Sequence, residues 1–222
     1  MFTGIIQEIG SIHDVRPIGS GVQLMVRAPE ITAELKVGDS ISINGVCQTV
    51  IQKEMEFFSV TAVEETLRKT TLGNMVRTAR VNLELAMRLD DRIGGHLVSG
   101  HVDCVGEIQS IEQRGVSWFF QVLIPQQFHR YVIPIGSIAL DGVSLTVASV
   151  TRGFVGVSLV PHTMENTIFA TYKAKSQINI EFDMMGKYVE KLLGTTAIGG
   201  DPISNDLNEE VGVRSLKDRL DS

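Results

Sequence analysis

Cysteine is scarce. The 222 residues hold only Cys47 and Cys104, too few for a disulfide framework, and a reducing cytoplasm is the expected setting. No apolar run approaches the roughly 20 residues that cross a bilayer, so no membrane partner is expected. The opening "MFTGIIQEIG" has neither the basic stretch nor the long apolar segment of a secretory leader. Positive charge is also short. Lys and Arg number 20 against 26 Asp and Glu, a net charge of −6, where nucleic acid needs a basic surface. No G-x-G-x-x-G occurs, which argues against a reductase with a nicotinamide-binding half. Hydrophobic residues make up 43%, enough for two small cores.

The chain does contain a repeat. Residues 42–50 read "SINGVCQTV" and residues 139–147 read "ALDGVSLTV". At an offset of 97, Ser40 to Glu84 aligns with Ser137 to Glu181 without a gap over 45 positions. Thirteen pairs are identical, among them Gly45/Gly142, Thr49/Thr146, Val63/Val160, Thr66/Thr163, Asn82/Asn179 and Glu84/Glu181. At an offset of 96, "FTGIIQEIGSI" from Phe2 pairs with "VSGHVDCVGEI" from Val98. That period is the size of a small domain and too long for a solenoid unit. The expected division is 1–96 and 97–183 for the two copies, 184–194 for a helix and 195–222 for a polar, mobile tail.

Strand signals are dense in each copy. "GVQLMVRAP", "DSISING", "CQTVIQK" and "EFFSVTAV" read as strands in the first. "SWFFQVLIP", "GSIALDG", "SLTVASV" and "GFVGVSLVP" do so in the second. Short strands at this spacing predict a small sandwich or barrel. Asn44-Gly45 and Asp141-Gly142 are tight-turn dipeptides. "EETLRKTTLG" and "HTMENTIFA" predict a short helix or turn at matching places. "DMMGKYVEKLLG" predicts a longer helix, with Met184, Tyr188 and Leu192 at helical spacing and Gly194 as a stop.

Seven strings then occur in order over about residues 1–194: "MFTGII", "NGVCQTV", "EETLRKTTLG", "GGHLVSGHVD", "DGVSLTV", "VPHT" and "GKYVEKLLG". Together they resemble the riboflavin synthase family. The resemblance implies an all-β chain of two similar six-stranded antiparallel Greek-key barrels, followed by a C-terminal α-helix that assembles a homotrimer. It implies a transferase that dismutates two molecules of 6,7-dimethyl-8-ribityllumazine. One molecule gives a four-carbon unit to the other, and the products are riboflavin and 5-amino-6-ribitylaminouracil. It implies no cofactor and no metal, and lumazine synthase as a possible pathway partner. The first barrel of one subunit would face the second barrel of its neighbour, with a lumazine on each.

Such a reaction explains the duplication, because holding two reactants face to face makes a bimolecular step effectively unimolecular. By resemblance, the first copy binds through Gly4, Ile5, Ile6, Cys47, Gln48, Thr49 and the run Thr61, Ala62, Val63, Glu64, Glu65 and Thr66. The second binds through His101, Val102, Asp103, Ser144, Leu145, Thr146 and the run Val160, Pro161, His162, Thr163, Met164 and Glu165. The chemistry needs one lumazine to lose a proton from its C7 methyl and the other to accept a nucleophile at C7, so the half-sites should differ. Cys47 aligns with Ser144, and His101 with Ile5. His101 suits proton transfer near neutral pH. Cys47 is a candidate nucleophile or pocket wall, Ser40 a candidate to position water, and Asp183 a candidate to polarise it. Two positions depart from the family: Gln48 replaces a usual leucine, and Ile135 stands where some members carry a lysine that reaches the neighbour's ligand.

Each candidate has a plainer reading. A free cysteine often packs as a small hydrophobe, and Cys104 is read that way. Threonines are ordinary in strands. His96 reads as a satisfied loop histidine, and His13 and His129 as surface residues. A non-catalytic, fluorescent lumazine- or flavin-binding antenna protein is the competing function, separable by ligand stoichiometry.

Overall fold

The repeat folds as two closed barrels in a computed structural model that describes residues 1–192. Leu193, Gly194 and the tail expected at 195–222 lie outside the described residues. In the first barrel the strands are β1 (Glu8–Ile18), β2 (Gly21–Arg27), β3 (Ser40–Ile43), β4 (Val46–Glu54), β5 (Phe57–Ala62) and β6 (Arg80–Leu85). In the second they are β7 (Cys104–Arg114), β8 (Ser117–Leu123), β9 (Ser137–Leu140), β10 (Val143–Thr151), β11 (Phe154–Leu159) and β12 (Gln177–Phe182). The first closes in the order β1-β2-β5-β4-β3-β6, and the second repeats that cycle with β7 to β12. Every pairing is antiparallel. This is the predicted fold class. The helices are α1 (Pro29–Glu34), α2 (Glu64–Lys69), α3 (Pro161–Glu165) and α4 (Met184–Leu192). None among the described residues is long and apolar enough to cross a membrane.

Alternation fills each barrel. Leu24, Val26, Val46, Val50, Phe58, Val60, Val81 and Leu83 share one core, and Phe120, Val122, Val147, Val155, Val157, Ile178 and Ile180 share the other. Each such side chain contributes about 1.5–3 kcal/mol by leaving water. All eight strands predicted by pattern are present. The first and last strands of each copy, β1, β6, β7 and β12, are additional to those eight.

Between the barrels the two hairpin tips touch. Asn44 and Gly45 have φ of 48° and 76°, and Asp141 and Gly142 have 43° and 79°, the double left-handed backbone of a two-residue turn. A Cβ on Gly45 would lie 2.6 Å from the Gly142 nitrogen, and one on Gly142 would lie 2.8 Å from the Gly45 nitrogen. The glycines therefore serve contact as well as turn geometry.

Four buried polar residues tie the tips to the last strands. The Asn82 amide N–H donates to Asn44 Oδ1 (2.7 Å), and Asn82 Nδ2 donates to the Asp141 carbonyl (3.0 Å). Reciprocally, the Asn179 N–H donates to Asp141 Oδ1 (2.8 Å), and Asn179 Nδ2 donates to the Asn44 carbonyl (2.8 Å). The Tyr172 hydroxyl donates to the other carboxyl oxygen of Asp141. The network is satisfied across the pseudo-twofold, as burial requires.

Burial pushes the Asp141 carboxyl up from 3.8 to about 7, against the opposing hydrogen bonds from Tyr172 and Asn179. A folded-state value above the unfolded one gives stability that is full below pH 3.8 and lost as pH rises through about 7. Asn44 shows that the turn accepts asparagine. Asp141→Asn should therefore remove this slope and leave the variant about 1–3 kcal/mol more stable than wild type at alkaline pH, with the gap closing in acid. Urea unfolding across that range checks it; parallel pH profiles would contradict it.

Candidate active site

The site face follows from strand register. Ser40 pairs with Thr49 and Ser42 with Cys47, so these four side chains share the outer face of the β3–β4 hairpin. Ile41 pairs with Gln48 and Ile43 with Val46 on the opposite, inward face. In the second barrel Ser137 pairs with Thr146 and Ala139 with Ser144 on the corresponding outer face. Gln48 and Leu145 therefore do not accompany Cys47 and Ser144, because successive side chains on a strand point to opposite sides. Gln48 is buried beside the first core, and its Nε2 donates to the Cys47 carbonyl (2.7 Å). Leu145 packs on the second core.

The segments leading into each barrel complete these faces, and they cross over. Glu84 on β6 accepts from Thr3 N (2.6 Å), Thr3 Oγ1 (2.7 Å) and Gly4 N (3.0 Å). The Gly4 carbonyl then accepts from Ser144 N (2.8 Å) in the second barrel. Glu181 on β12 accepts from Ser99 N (2.6 Å), Ser99 Oγ (2.6 Å) and Gly100 N (2.9 Å). The Gly100 carbonyl accepts from Cys47 N (2.8 Å) in the first. A short antiparallel bridge between Phe2 and Val98 joins the two segments. Both clamp glycines need their lack of a side chain. Gly4 has φ of 76° and would press a Cβ to 2.5 Å from Ser144 Cβ, and Gly100 has 82° with a Cβ 2.5 Å from Cys47 Cβ.

This crossing corrects the grouping expected from sequence. Ile6 packs on the second core and Val102 on the first. Gly4, Ile5 and Ile6 therefore belong with Ser144 and Thr146, while the Gly100–Val102 segment that carries His101 belongs with Cys47 and Thr49. The backbone bonds at Cys47 and Ser144 impose this exchange, and a sequence offset cannot reveal it. Ile5 and His101 are both exposed.

The remaining candidates fall into three sets. Thr61 and Ala62 end β5, Val63 precedes α2 and Glu64 to Thr66 open it; Val160 to Glu165 occupy the equivalent positions before and through α3. The matched valines at the two helix starts, Val63 and Val160, are 58% and 56% exposed beside the barrel ends. Glu65 is held in surface ion pairs with Arg68 and Lys69, both at 2.7 Å. Its own helix thus satisfies it. His162 Nδ1 lies 3.2 Å from Asn166 Nδ2, and Met164 packs on the second core. Asp103 is also engaged, with its carboxylate 2.6 Å from Lys187 Nζ and accepting from Phe182 N at 2.9 Å. Asp183 accepts from Met185 N (3.0 Å) and so caps the start of α4.

Ile135 sits at φ of 63°, where its counterpart Gly38 has 95°. A β-branched residue is strained there, and Ile135 is 85% exposed, so little packing offsets the strain. Ile135→Gly should stabilise the fold by about 0.5–1 kcal/mol, the left-handed cost less glycine's extra chain entropy. A lower urea midpoint for the variant would contradict this.

Three residues of the site were not selected by sequence reasoning. Glu84 and Glu181 were visible only as an identical pair, and that identity inside a strand was the available signal. Burial pushes the Glu84 carboxyl above its ordinary range, against the hydrogen bonds from Thr3 and Gly4. His96 lies in a loop, as expected, and is buried there with Nδ1 2.7 Å from Ser144 Oγ. Cys104 is buried and its thiol is pushed up to about 12 by that burial, in keeping with a packing role. A cleft of about 760 Å³ lined by Glu107, His129, Arg152 and Gln177 contains none of the candidates. Among the described residues no group of three His, Cys, Asp or Glu is placed to hold a metal ion.

The chain matches the Lumazine binding domain family twice, over residues 3–86 and 99–183. It is 39% identical to riboflavin synthase of Bacillus subtilis over 193 residues, covering 87% of this chain and 90% of that one. It is 40% identical to riboflavin synthase of Mycobacterium bovis over 200 residues, covering 87% and 98%. Among solved structures, LumP complexed with riboflavin superposes with a TM-score of 0.77 at 19% identity, over 82% of this chain and all of that one. That likeness concerns the fold. With two tandem lumazine-binding domains and this identity across most of its length, the chain belongs to the riboflavin synthase family.

Proposed function

We propose that the outer faces of the two hairpins each hold one 6,7-dimethyl-8-ribityllumazine, and that the chain converts the pair to riboflavin and 5-amino-6-ribitylaminouracil. The observation that carries this reading is the crossed pair of clamps. It gives each barrel the same binding frame of Thr, backbone carbonyl and lead-in segment, but fits the two with different chemistry. The first has Cys47 with the Gly100–His101 segment, and the second has Ser144 with the Gly4–Ile5 segment. Two like frames suit two identical molecules, and unlike reactive groups suit their opposite roles.

In this mechanism Thr49 and Thr146 hold the ring or ribityl hydroxyls from equivalent positions. His101, exposed at the first half-site, accepts or returns the C7 methyl proton. Cys47 stands on the same face as nucleophile or as a polarisable wall. Ser40, opposite Thr49, positions water, and Asp183 at the start of α4 polarises it. The faces are open, so each half-site is closed by the other kind from a neighbouring subunit. A homotrimer assembled through α4 supplies that neighbour, and the exposed Met185 and Tyr188, both 62% exposed, offer it an apolar surface. The units of function are 1–96, 97–183 and the helix from 184. A cytoplasmic setting, no cofactor, and lumazine synthase as a possible supplier of substrate complete the proposal.

The test is conversion. Purified protein incubated with 6,7-dimethyl-8-ribityllumazine should form riboflavin, and titration with an unreactive analogue should saturate near two per chain. Saturation at one, with no riboflavin formed, would favour the antenna function.

A further inference from the structure

We propose that Lys187 is a positioning residue for the first half-site. Its ammonium group holds the Asp103 carboxylate, and through it the Gly100–Val102 segment that carries His101. This rests on the reading above that His101 moves a proton on a lumazine bound beside Cys47.

The segment is anchored residue by residue. Gly100 N donates to Glu181 Oε2 (2.9 Å), and His101 N donates to Ser99 Oγ (3.2 Å). The Val102 side chain packs on the first core. Asp103 N donates to the Ile180 carbonyl (2.9 Å), and the Asp103 carboxylate accepts from Phe182 N (2.9 Å). Lys187 Nζ then reaches both carboxyl oxygens of Asp103, Oδ1 at 2.7 Å and Oδ2 at 2.6 Å. Exposed ion pairs contribute little, because water screens them and two long side chains must be held still. This pair escapes both costs in part. Its side chains are 31% and 18% exposed, and the carboxylate is already fixed by the Phe182 N–H.

The first copy is the internal control. Gln7 aligns with Asp103 and Leu85 with Phe182. Gln7 Oε1 accepts from Leu85 N at 2.7 Å, so a neutral amide makes the same strand bond. The negative charge of Asp103 is therefore not needed for that bond. Its partner is Lys187, in the first turn of α4. At the offset of 97 the residue aligned with Lys187 is Asp90, and residues 86–97 after β6 form turns and bends without a helix. The cation, the carboxylate and the helix thus occur together in one copy only. They brace the segment that bears the imidazole, and the segment that bears Ile5 has no such brace. That choice fits proton transfer, whose rate falls steeply with a misplacement of about 1 Å that binding tolerates.

The full chain, with 6,7-dimethyl-8-ribityllumazine as substrate, tests this. Lys187→Met removes the cation and keeps an apolar stem. Asp103→Gln installs the first copy's residue and keeps an acceptor for the Phe182 N–H. Each should lower kcat about tenfold and leave KM within about twofold of wild type. The double variant should be no slower than the slower single one, and Lys187→Arg, which keeps a charged donor, should recover most of the rate. Amide hydrogen exchange in the free protein gives the second readout. The Cys47 N–H, bonded to the Gly100 carbonyl, should exchange about tenfold faster in both single variants, while the Ser144 N–H, bonded to the Gly4 carbonyl in the other clamp, should not change. Either kcat or Cys47 exchange at its wild-type value in Lys187→Met would overturn the proposal and leave the reading of the site intact. Equal acceleration at Cys47 and Ser144 would also overturn it, as a general loosening. No riboflavin from the wild-type chain would overturn the reading of the site and the role of Lys187 with it.

Discussion

Cys47→Ser and His101→Ile should each slow turnover by about ten- to a thousandfold, the scale of losing a positioned proton-transfer or nucleophilic group. Both changes are mild for packing, because the other copy carries Ser144 and Ile5 at the matching places. Analogue affinity should fall far less, since in the proposed site threonines and backbone carbonyls do most of the holding. The crossed clamps add a sharper expectation. The Gly100 carbonyl sits on the Cys47 amide, one residue before His101, so both groups serve one half-site. Their effects should therefore not multiply, and the double variant should be little slower than the worse single one. Single-turnover rates and analogue affinities for the three variants decide the matter. A kcat within about twofold of wild type in both single variants, under about 0.5 kcal/mol of barrier, would return both residues to packing roles.

Gly45→Ala should cost about 4 kcal/mol and lower the melting temperature by about 8–16 °C. A left-handed φ of 76° accounts for part of the loss, and a Cβ 2.6 Å from the Gly142 nitrogen for the rest, because backbone there cannot swing aside as a side chain would. Gly19→Ala is the control. It has φ of 58° and nothing within 4 Å of its Cβ, so it should show the backbone penalty alone, about 1 kcal/mol. If the two variants melted within about a degree of one another, the contact between the hairpin tips would carry no weight.

The eight strands read from sequence are those rich in β-branched and aromatic residues and bounded by Gly, Asn or Asp, such as "GVQLMVRAP" and "EFFSVTAV". β6 and β12 escaped because they bury Asn82, Glu84, Asn179 and Glu181 within runs that look half polar. Those side chains are buried because they hold the other copy or the lead-in segment, a fact of tertiary structure. β1 and β7 carry Gly10 and Gly106, whose added Cβ would lie 2.5 Å from Leu83 and Ile180 side chains, and these glycines weaken the local strand signal. The outer-face residues Cys47, Thr49, Ser144 and Thr146 were legible from the repeat and the family strings. Their correct partners were not. An alignment of one copy with the other pairs equivalent positions, whereas the site is made of non-equivalent ones, Gly4 with Ser144 and Gly100 with Cys47.

The crossing also separates the unit that was copied from the unit that binds. Each repeat, as written in the chain, begins with a segment that completes the opposite barrel. Replacing the whole second repeat with that of a relative would thus alter both half-sites at once: the second through its hairpin, the first through the imported Ser99–Val102 segment. A chimera meant to change one half-site alone needs junctions within the chain between His101 and β7, and again before α4. Changes at Cys47 and at Gly100–His101 should therefore be made as one set across the domain boundary, because the Cys47 N–H is bonded to the Gly100 carbonyl.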